Sequence, residues 1–246
     1  MLGNFVIFII LLYSTTRGDY GIDILRKGSY SFSKKILKPL QEIGTNSFLE
    51  HVFERIGLFI FAKMIASLGT VAMELIITVF YYGFILLFWS GMSSASASFT
   101  GRKLEKKKRS CNSLYESCTI FGTLDFYCVG IIFFLLRNMI FSVMVSDTRV
   151  ILLGSSVMLI ISFLLIPQTQ AQVTAGVLRG AGDNRFIAIY SLFISAILRP
   201  CLALFFVFLW NFGLVGIWLA FFSDEFLKML LAQYRVQKGI WLQKEI

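Results

Sequence analysis

Polar and apolar positions in this chain come in long blocks. Apolar runs at 1–13, 47–67, 71–94, 119–145, 150–170, 185–210 and 212–233 are separated by shorter polar stretches. Most are long enough to cross a bilayer, since about 20 apolar helical residues span a hydrocarbon core about 30 Å thick. The runs are continuous, without the period-two alternation of a membrane strand. A lipid-facing segment must satisfy its backbone hydrogen bonds within a helix or a closed barrel. The pattern predicts an all-α fold, a polytopic transmembrane helix bundle.

Composition agrees. Of 246 residues, 57% are hydrophobic, 16% aromatic and only 15% charged, against roughly 45 to 50% apolar in soluble domains. A water-soluble fold is excluded on this count. The net charge of +9 does not point to nucleic acid, because the basic residues sit in short clusters between apolar runs and not on one polar surface. They carry orientation instead. Arg17, Arg26, Lys27, Lys34, Lys35 and Lys38 lie between the first two runs, and Arg102, Lys103, Lys106, Lys107, Lys108 and Arg109 follow the third. By the positive-inside rule these stretches are cytoplasmic. The segment 171–184 with Arg179, and the tail with Arg235, Lys238 and Lys244, fall on the same side, while the opposite loops offer Arg149. The expected topology has its N-terminus outside and its C-terminus in the cytoplasm, in a multi-pass protein of the cell membrane.

The run 1–13 is short for a span and lacks the basic start and small-residue cleavage site of a signal peptide. It reads as the remnant of a helix whose upstream part is missing. Residues 14–45 then form a basic cytoplasmic linker with an amphipathic interfacial helix, 46–234 a six-helix lobe, and 235–246 a cytoplasmic tail. Arg17-Gly18-Asp19 in the linker is coincidental. Cys111, Cys118, Cys128 and Cys201 have no C-x-x-C spacing and no His cluster, so no metal site is expected. There is no phosphate-binding G-x-x-x-x-G-K-[ST] sequence, and no internal repeat stands out among the six spans.

A family resemblance is carried by several short segments in order. The stretch Gln172-Val173-Thr174-Ala175-Gly176-Val177-Leu178-Arg179-Gly180-Ala181-Gly182-Asp183-Asn184-Arg185 resembles the connection between the tenth and eleventh helices of multidrug and toxic compound extrusion (MATE) transporters. Ile43-Gly44-Thr45-Asn46-Ser47-Phe48-Leu49-Glu50, Ala62-Lys63 and Ser67-Leu68-Gly69-Thr70-Val71-Ala72 resemble the family's seventh helix and the turn into its eighth. Arg199-Pro200 and Gly213-Leu214-Val215-Gly216-Ile217-Trp218-Leu219-Ala220 match the last two helices. The resemblance covers residues 40–240 and implies the C-terminal half of a flippase-like antiporter, in which two six-helix lobes rock around a central cavity. It implies no cofactor, Na⁺ or H⁺ as coupling ion, an amphipathic or cationic small-molecule substrate, and an N-terminal lobe or second copy as partner within the bilayer.

Some positions depart from the family pattern. Asn46 stands where Pro is usual, Glu74-Leu75-Ile76 where a small-Ala-His pattern is common, and Glu105 where Gly is frequent. Where some subfamilies carry a cation-coupling Asp in the tenth helix, this chain has Gln168-Thr169-Gln170-Ala171-Gln172, which hydrogen-bonds without titrating. Other members couple through an acid in the first helix of the N-terminal lobe, and this chain does not include that lobe.

An ionisable side chain in a span costs about 2.5 to 3.5 kcal/mol on insertion scales and should face protein or water with a partner. Glu50 and Glu54 share a helical face. By resemblance Glu50 binds a cation or cationic substrate; the alternative is that both acids pair with Arg55, His51 or the basic linker. Lys63 and Glu74 flank the Leu68-Gly69-Thr70 turn at similar distances and read as a structural ion pair. Asp125 and Arg137 are too far apart on one helix to pair. Arg137 facing the cavity would disfavour cations, and Gln168, Gln170 and Gln172 are further binding candidates. Pro167 and Pro200 each remove a helical hydrogen bond and are expected to kink their helices, as hinges or as fixed shape.

Three functions follow. The first is an ion-coupled exporter lobe for drugs or organic cations. The second is a flippase lobe for a lipid or lipid-linked saccharide, with Arg137 and Arg199 as anion contacts. The third is a truncated remnant or interaction subunit without transport of its own. An enzyme is not expected, because one His and scattered carboxylates form no recognisable catalytic arrangement.

Overall fold

A computed structural model of the chain describes residues 9, 13, 34–69, 90–102, 130–132, 134–139, 142 and 148–239. Most of the expected spans 71–94 and 119–145 lies outside these, as do Glu74, Glu105, Asp125, the basic cluster 103–109 and the last seven residues. The chain divides into two compact units, 1–38 and 39–246. In the first, Ile9, Tyr13 and residues 34–38 are helical. All the packing that follows belongs to the second.

Every regular element among the described residues is a helix: α1 Lys34–Ser67, a helical segment 90–102, helical residues at 130–132 and 134–139, α2 Thr148–Gly180, α3 Asn184–Leu209 and α4 Gly213–Gln237. Within α2, Ile151–Gly180, and all of α3 are long and apolar enough to cross a membrane. The helix α1 begins well upstream of the apolar run at 47, so the basic residues 34–45 continue it. The helix α2 likewise runs past residue 170 to Gly180, because Gln168, Thr169, Gln170 and Thr174 are buried against protein and so can stay helical.

The turn from α2 to α3 is only 181–183, against the 171–184 expected of it. The amide of Asp183 bonds the Leu178 carbonyl at 2.9 Å and that of Gly182 the Arg179 carbonyl at 3.0 Å, a helix stop that needs a left-handed residue after the cap. Gly182 supplies it with φ +79°. Gly182→Ala puts a side chain where L residues are strained. We expect a loss of about 1 kcal/mol, read as an earlier midpoint when the protein is titrated from mild detergent into sodium dodecyl sulfate. An unchanged midpoint would mean the turn has another conformation.

The helices α1, α2 and α4 meet in one apolar cluster built on Phe61, Ile65, Ile161, Leu165, Ile217, Trp218 and Phe221. Phe61 meets the edge of Trp218 at 5.8 Å between ring centres. A second cluster joins the end of α2 to α3 and α4 through Leu178, Ile187, Tyr190, Ile194 and Val236. On α3 the usual polarity is inverted: Ile189, Phe193, Ile197, Leu204 and Phe208 are exposed along one face, while Ser191, Ser195 and Arg199 are buried on the other. Water would penalise that arrangement, whereas lipid favours it.

Pro200 is accommodated by local unwinding. Leu192–Leu198 is π-helical, and the Arg199 amide bonds the Ile194 carbonyl five residues back. Pro200 has no N–H, so the Ser195 carbonyl is left without its helical donors. Gly57 of α1 presses against that oxygen so closely that a Cβ there would stand 2.3 Å away. The helix α2 continues through Pro167.

Candidate functional site

One side of α1 carries Glu50, Glu54, Gly57, Phe61 and Ile65 at helical spacing. The apolar members enter the core; Glu50 at the other end is 1% exposed. Its carboxylate is gripped by Arg179 in the last turn of α2: Nη2 donates to Oε1, and Nε to Oε2 at 3.4 Å. A cation at a helix C-terminus also meets the negative end of the helix dipole. Arg179 Nη1 donates to Ser93 Oγ at 2.9 Å, and Ser93 Oγ donates to the Gln172 carbonyl at 2.9 Å. The guanidinium thus ties the segment 90–102 to α1. Its side chain remains 25% exposed against 2% for Glu50, so the arginine has access to solvent and the acid does not.

A second charged group lies in the buried face of α4, between Phe221 and Ala232. Asp224 accepts Nε of Arg199 at 2.6 Å as well as its Nη2, and lies 3.3 Å from Lys228 Nζ. Glu225 Oε1 is 3.1 Å from Lys228 Nζ and 3.4 Å from Arg199 Nη2. Arg199 also stacks on Phe221, 4.5 Å from the ring centre. All four side chains are at most 5% exposed. Two cations and two carboxylates therefore neutralise one another inside the helix packing. At the α2–α3 turn, Asp183 accepts Arg235 Nε of α4 at 2.8 Å, and Arg235 lies over Phe186.

The residues singled out from the sequence are not all brought together. Glu50 is buried, and its partner among the described residues is Arg179. Glu54 is half-buried, with exposed His51 at 3.9 Å. Gln168 and Gln170 are buried in α2, and Gln172 meets Ser93 through its carbonyl. Arg137 is partly buried over the Phe134 ring at 5.0 Å. Lys63 is exposed, and the Lys63–Glu74 pair lies outside the described residues. Arg199, expected as an anion contact, is occupied by Asp224. Asp224, Glu225 and Lys228 went unnoticed within the apolar run 212–233. Their signal was there: acids followed by a lysine three and four residues on, inside a span. Among the described residues, no three His, Cys, Asp or Glu side chains converge to hold a metal ion.

Comparison with known proteins matches this architecture. The uncharacterised transporter YisQ of Bacillus subtilis (strain 168) is 27% identical over 224 residues, which are 89% of this chain and 48% of that protein. A solved MATE structure in the straight conformation superposes with a TM-score of 0.78 at 17% identity, covering 97% of this chain and 55% of the other. A MOP superfamily transporter from Pyrococcus furiosus Vc1 (DSM3638), described by a reverse polarity of its binding pocket, gives a TM-score of 0.74 at 16% identity over 81% of this chain and 44% of the other. The chain thus spans about half the length of the relatives it matches. These similarities to solved structures carry the all-α fold. The model of the MatE family matches residues 47–205, well over half of the chain, so this is an integral membrane protein of the MATE transporter family and not an enzyme.

Proposed function

We propose that the chain is the C-terminal six-helix lobe of an ion-coupled antiporter that expels organic cations or other amphipathic compounds on a Na⁺ or H⁺ gradient, working with an N-terminal lobe or a second copy. The observation that carries this reading is Glu50. While ionised, a carboxylate buried to 1% exposure must keep a positive partner. Its present partner, Arg179, is one-quarter exposed and can turn to water. An arriving organic cation replaces the guanidinium at no loss of charge balance, and its departure lets Arg179 return. Rocking of the two lobes would expose the pair to each side in turn. The ends of the α3–α4 hairpin differ as orientation would require. Asp183, Arg185 and Arg235 gather at one turn, and Phe205, Phe206, Trp210 and Phe212 at the other, in the manner of an interfacial aromatic belt.

The test is efflux of ethidium from cells lacking their own exporters, with the chain expressed beside its N-terminal lobe. Glu50→Gln should lower the efflux rate at least about tenfold, the equivalent of about 1.4 kcal/mol, at equal protein level in the membrane. Wild-type efflux from Glu50→Gln sinks the reading. Coupled efflux from liposomes holding this chain as a monomer would remove the need for a partner. With Arg199 held by Asp224, the anionic-lipid alternative loses one of its two contacts.

A further inference from the structure

An open groove of about 480 Å³ runs along the outer side of α1, lined by Phe48, His51, Val52, Arg55, Ile56 and Phe59. Its size falls in the range of ligand pockets, about 300 to 1,000 Å³. Helical spacing sets this side apart. Phe48, Val52, Arg55 and Phe59 recur at intervals of four, three and four, while Glu50, Glu54, Gly57 and Phe61 follow the opposite side into the lobe. Phe48, Ile56 and Phe59 are exposed, and so are His51 and Arg55. Lipid accepts exposed apolar side chains, but it does not accept a bare cation. Arg55 has no ionic partner among the described residues. The positions one turn away from it on α1 are His51, Val52, Leu58 and Phe59, none of them an acid, and Glu54 lies 3.9 Å from His51. The groove therefore carries one positive charge that the chain leaves unbalanced.

The groove also runs between two depths of a bilayer. Glu50 meets Arg179 in the last turn of α2, which puts the start of the groove level with the 181–183 turn. Arg55 lies five residues on, about 7.5 Å along the axis, and Phe59 about 6 Å further. A guanidinium at that depth reaches back to headgroup level along its own stem, while Phe59 stays among the acyl chains. A helix of another lobe suits this side poorly. Close approach of helices in lipid calls for small residues, which the chain places inside the lobe at Gly57, Gly176 and Gly180, whereas Phe48, Ile56 and Phe59 wall the groove. A flexible acyl chain lies between such side chains without needing them small. We propose that the groove binds one phospholipid of net negative charge, its phosphate on the Arg55 guanidinium with a ring N–H of His51 beside it, and one acyl chain along Val52, Ile56 and Phe59. The planar fork of an arginine matches two phosphate oxygens. A zwitterionic lipid brings its own ammonium and leaves the groove with a net charge; an anionic one neutralises it. The site goes beyond the antiporter reading and does not rest on it, since it needs only the bilayer.

The experiment is native mass spectrometry of the full chain, released from nanodiscs of equal parts dioleoylphosphatidylcholine and dioleoylphosphatidylglycerol, reading the lipid it retains. Wild type should keep one phosphatidylglycerol, favoured over phosphatidylcholine at least about fivefold, the effect of one basic residue near an anionic headgroup. Arg55→Gln, with unchanged circular dichroism, should bring the ratio near one. Arg185→Gln removes an exposed cation at the same end of the bundle but outside the groove and should leave the ratio as it is. Equal retention of both lipids by wild type, or an unchanged ratio in Arg55→Gln, overturns the proposal. So does an equal fall in Arg185→Gln, which would make the preference a property of the whole charged end. Dihexanoylphosphatidylglycerol, with the same headgroup on short chains, should compete at least about tenfold more weakly for wild type, because each buried methylene adds to binding; equal competition overturns the groove as the seat of the chain. A lipid-free dimer that Phe59→Ala splits would give this side to a second copy and overturn the lipid. Retained phosphatidylglycerol in a chain that supports no ethidium efflux with its partner lobe upholds this site and removes the antiporter reading; efflux without any lipid preference does the reverse.

Discussion

Arg199→Met is expected to destabilise the folded chain by about 3 to 5 kcal/mol, the range for removing one partner of a buried ion pair. The side chain is 3% exposed and Asp224 is fully buried, so the much smaller figure for surface pairs does not apply. Without the guanidinium, Asp224 and Glu225 must share the single ammonium of Lys228, at 3.3 and 3.1 Å. The stacking of Arg199 on Phe221 goes as well, worth about 1 to 2 kcal/mol when desolvated. Met keeps most of the apolar stem, so the loss reports charge more than volume. Arg199→Lys should recover part of it, because an ammonium cannot reproduce the fork that meets Asp224 through Nε and Nη2. The double change Arg199→Met with Asp224→Leu should recover more, since it removes both members and leaves Glu225 with Lys228. The measurement is the dodecyl sulfate midpoint of wild type, Arg199→Met, Asp224→Leu and the double variant as a double-mutant cycle, with Arg199→Lys measured beside them. A single-variant loss below about 1 kcal/mol, the surface value, would mean the quartet is hydrated and not enclosed.

This quartet marks the limit of what the sequence discloses. The three runs over 150–170, 185–210 and 212–233 were legible because lipid demands long apolar stretches, and each coincides with a helix. Helix ends were less so. Hydropathy cannot tell a polar residue in a loop from one facing another helix, and residues 171–180 are of the second kind. Glu50 stood out as an acid at the edge of a span, but its partner lies 129 residues away and no local spacing could name it. Arg199 and Asp224 illustrate the same limit from the other side. Either alone is an expensive charge in an apolar run, and only the antiparallel packing of α3 on α4 turns two liabilities into a pair. Pro200 was legible as a break in hydrogen bonding. That the break would be answered by a π-helical stretch and a glycine on another helix was not.

Gly176→Leu and Gly180→Leu are expected to separate the segment 90–102 from α2, each at a cost of about 2 to 3 kcal/mol. The contact between these helices is backbone against backbone. A Cβ at Gly176 would stand 2.4 Å from the Ser93 carbonyl oxygen, and one at Gly180 2.3 Å from that of Ala97. Ser93, Ala97 and Gly101 on one side meet Gly176 and Gly180 on the other, small residues four apart on both helices. In lipid, helices gain nothing by hiding apolar surface from each other, and close approach with its dispersion contacts is what joins them. Added volume therefore brings no compensating burial. The second substitution should cost less than the first, since the two positions share one interface that the first has already opened. Gly44→Leu is the control: nothing lies within 4 Å of a Cβ there, and its midpoint should stay within about 0.5 kcal/mol of wild type. Equal behaviour of Gly176→Leu and Gly44→Leu would rule this packing out. The consequence reaches Glu50, because Ser93 holds Arg179 at 2.9 Å from the same helix. Opening the glycine contact frees the arginine from Ser93, and the carboxylate keeps its partner only through the Arg179 contacts to Glu50 itself.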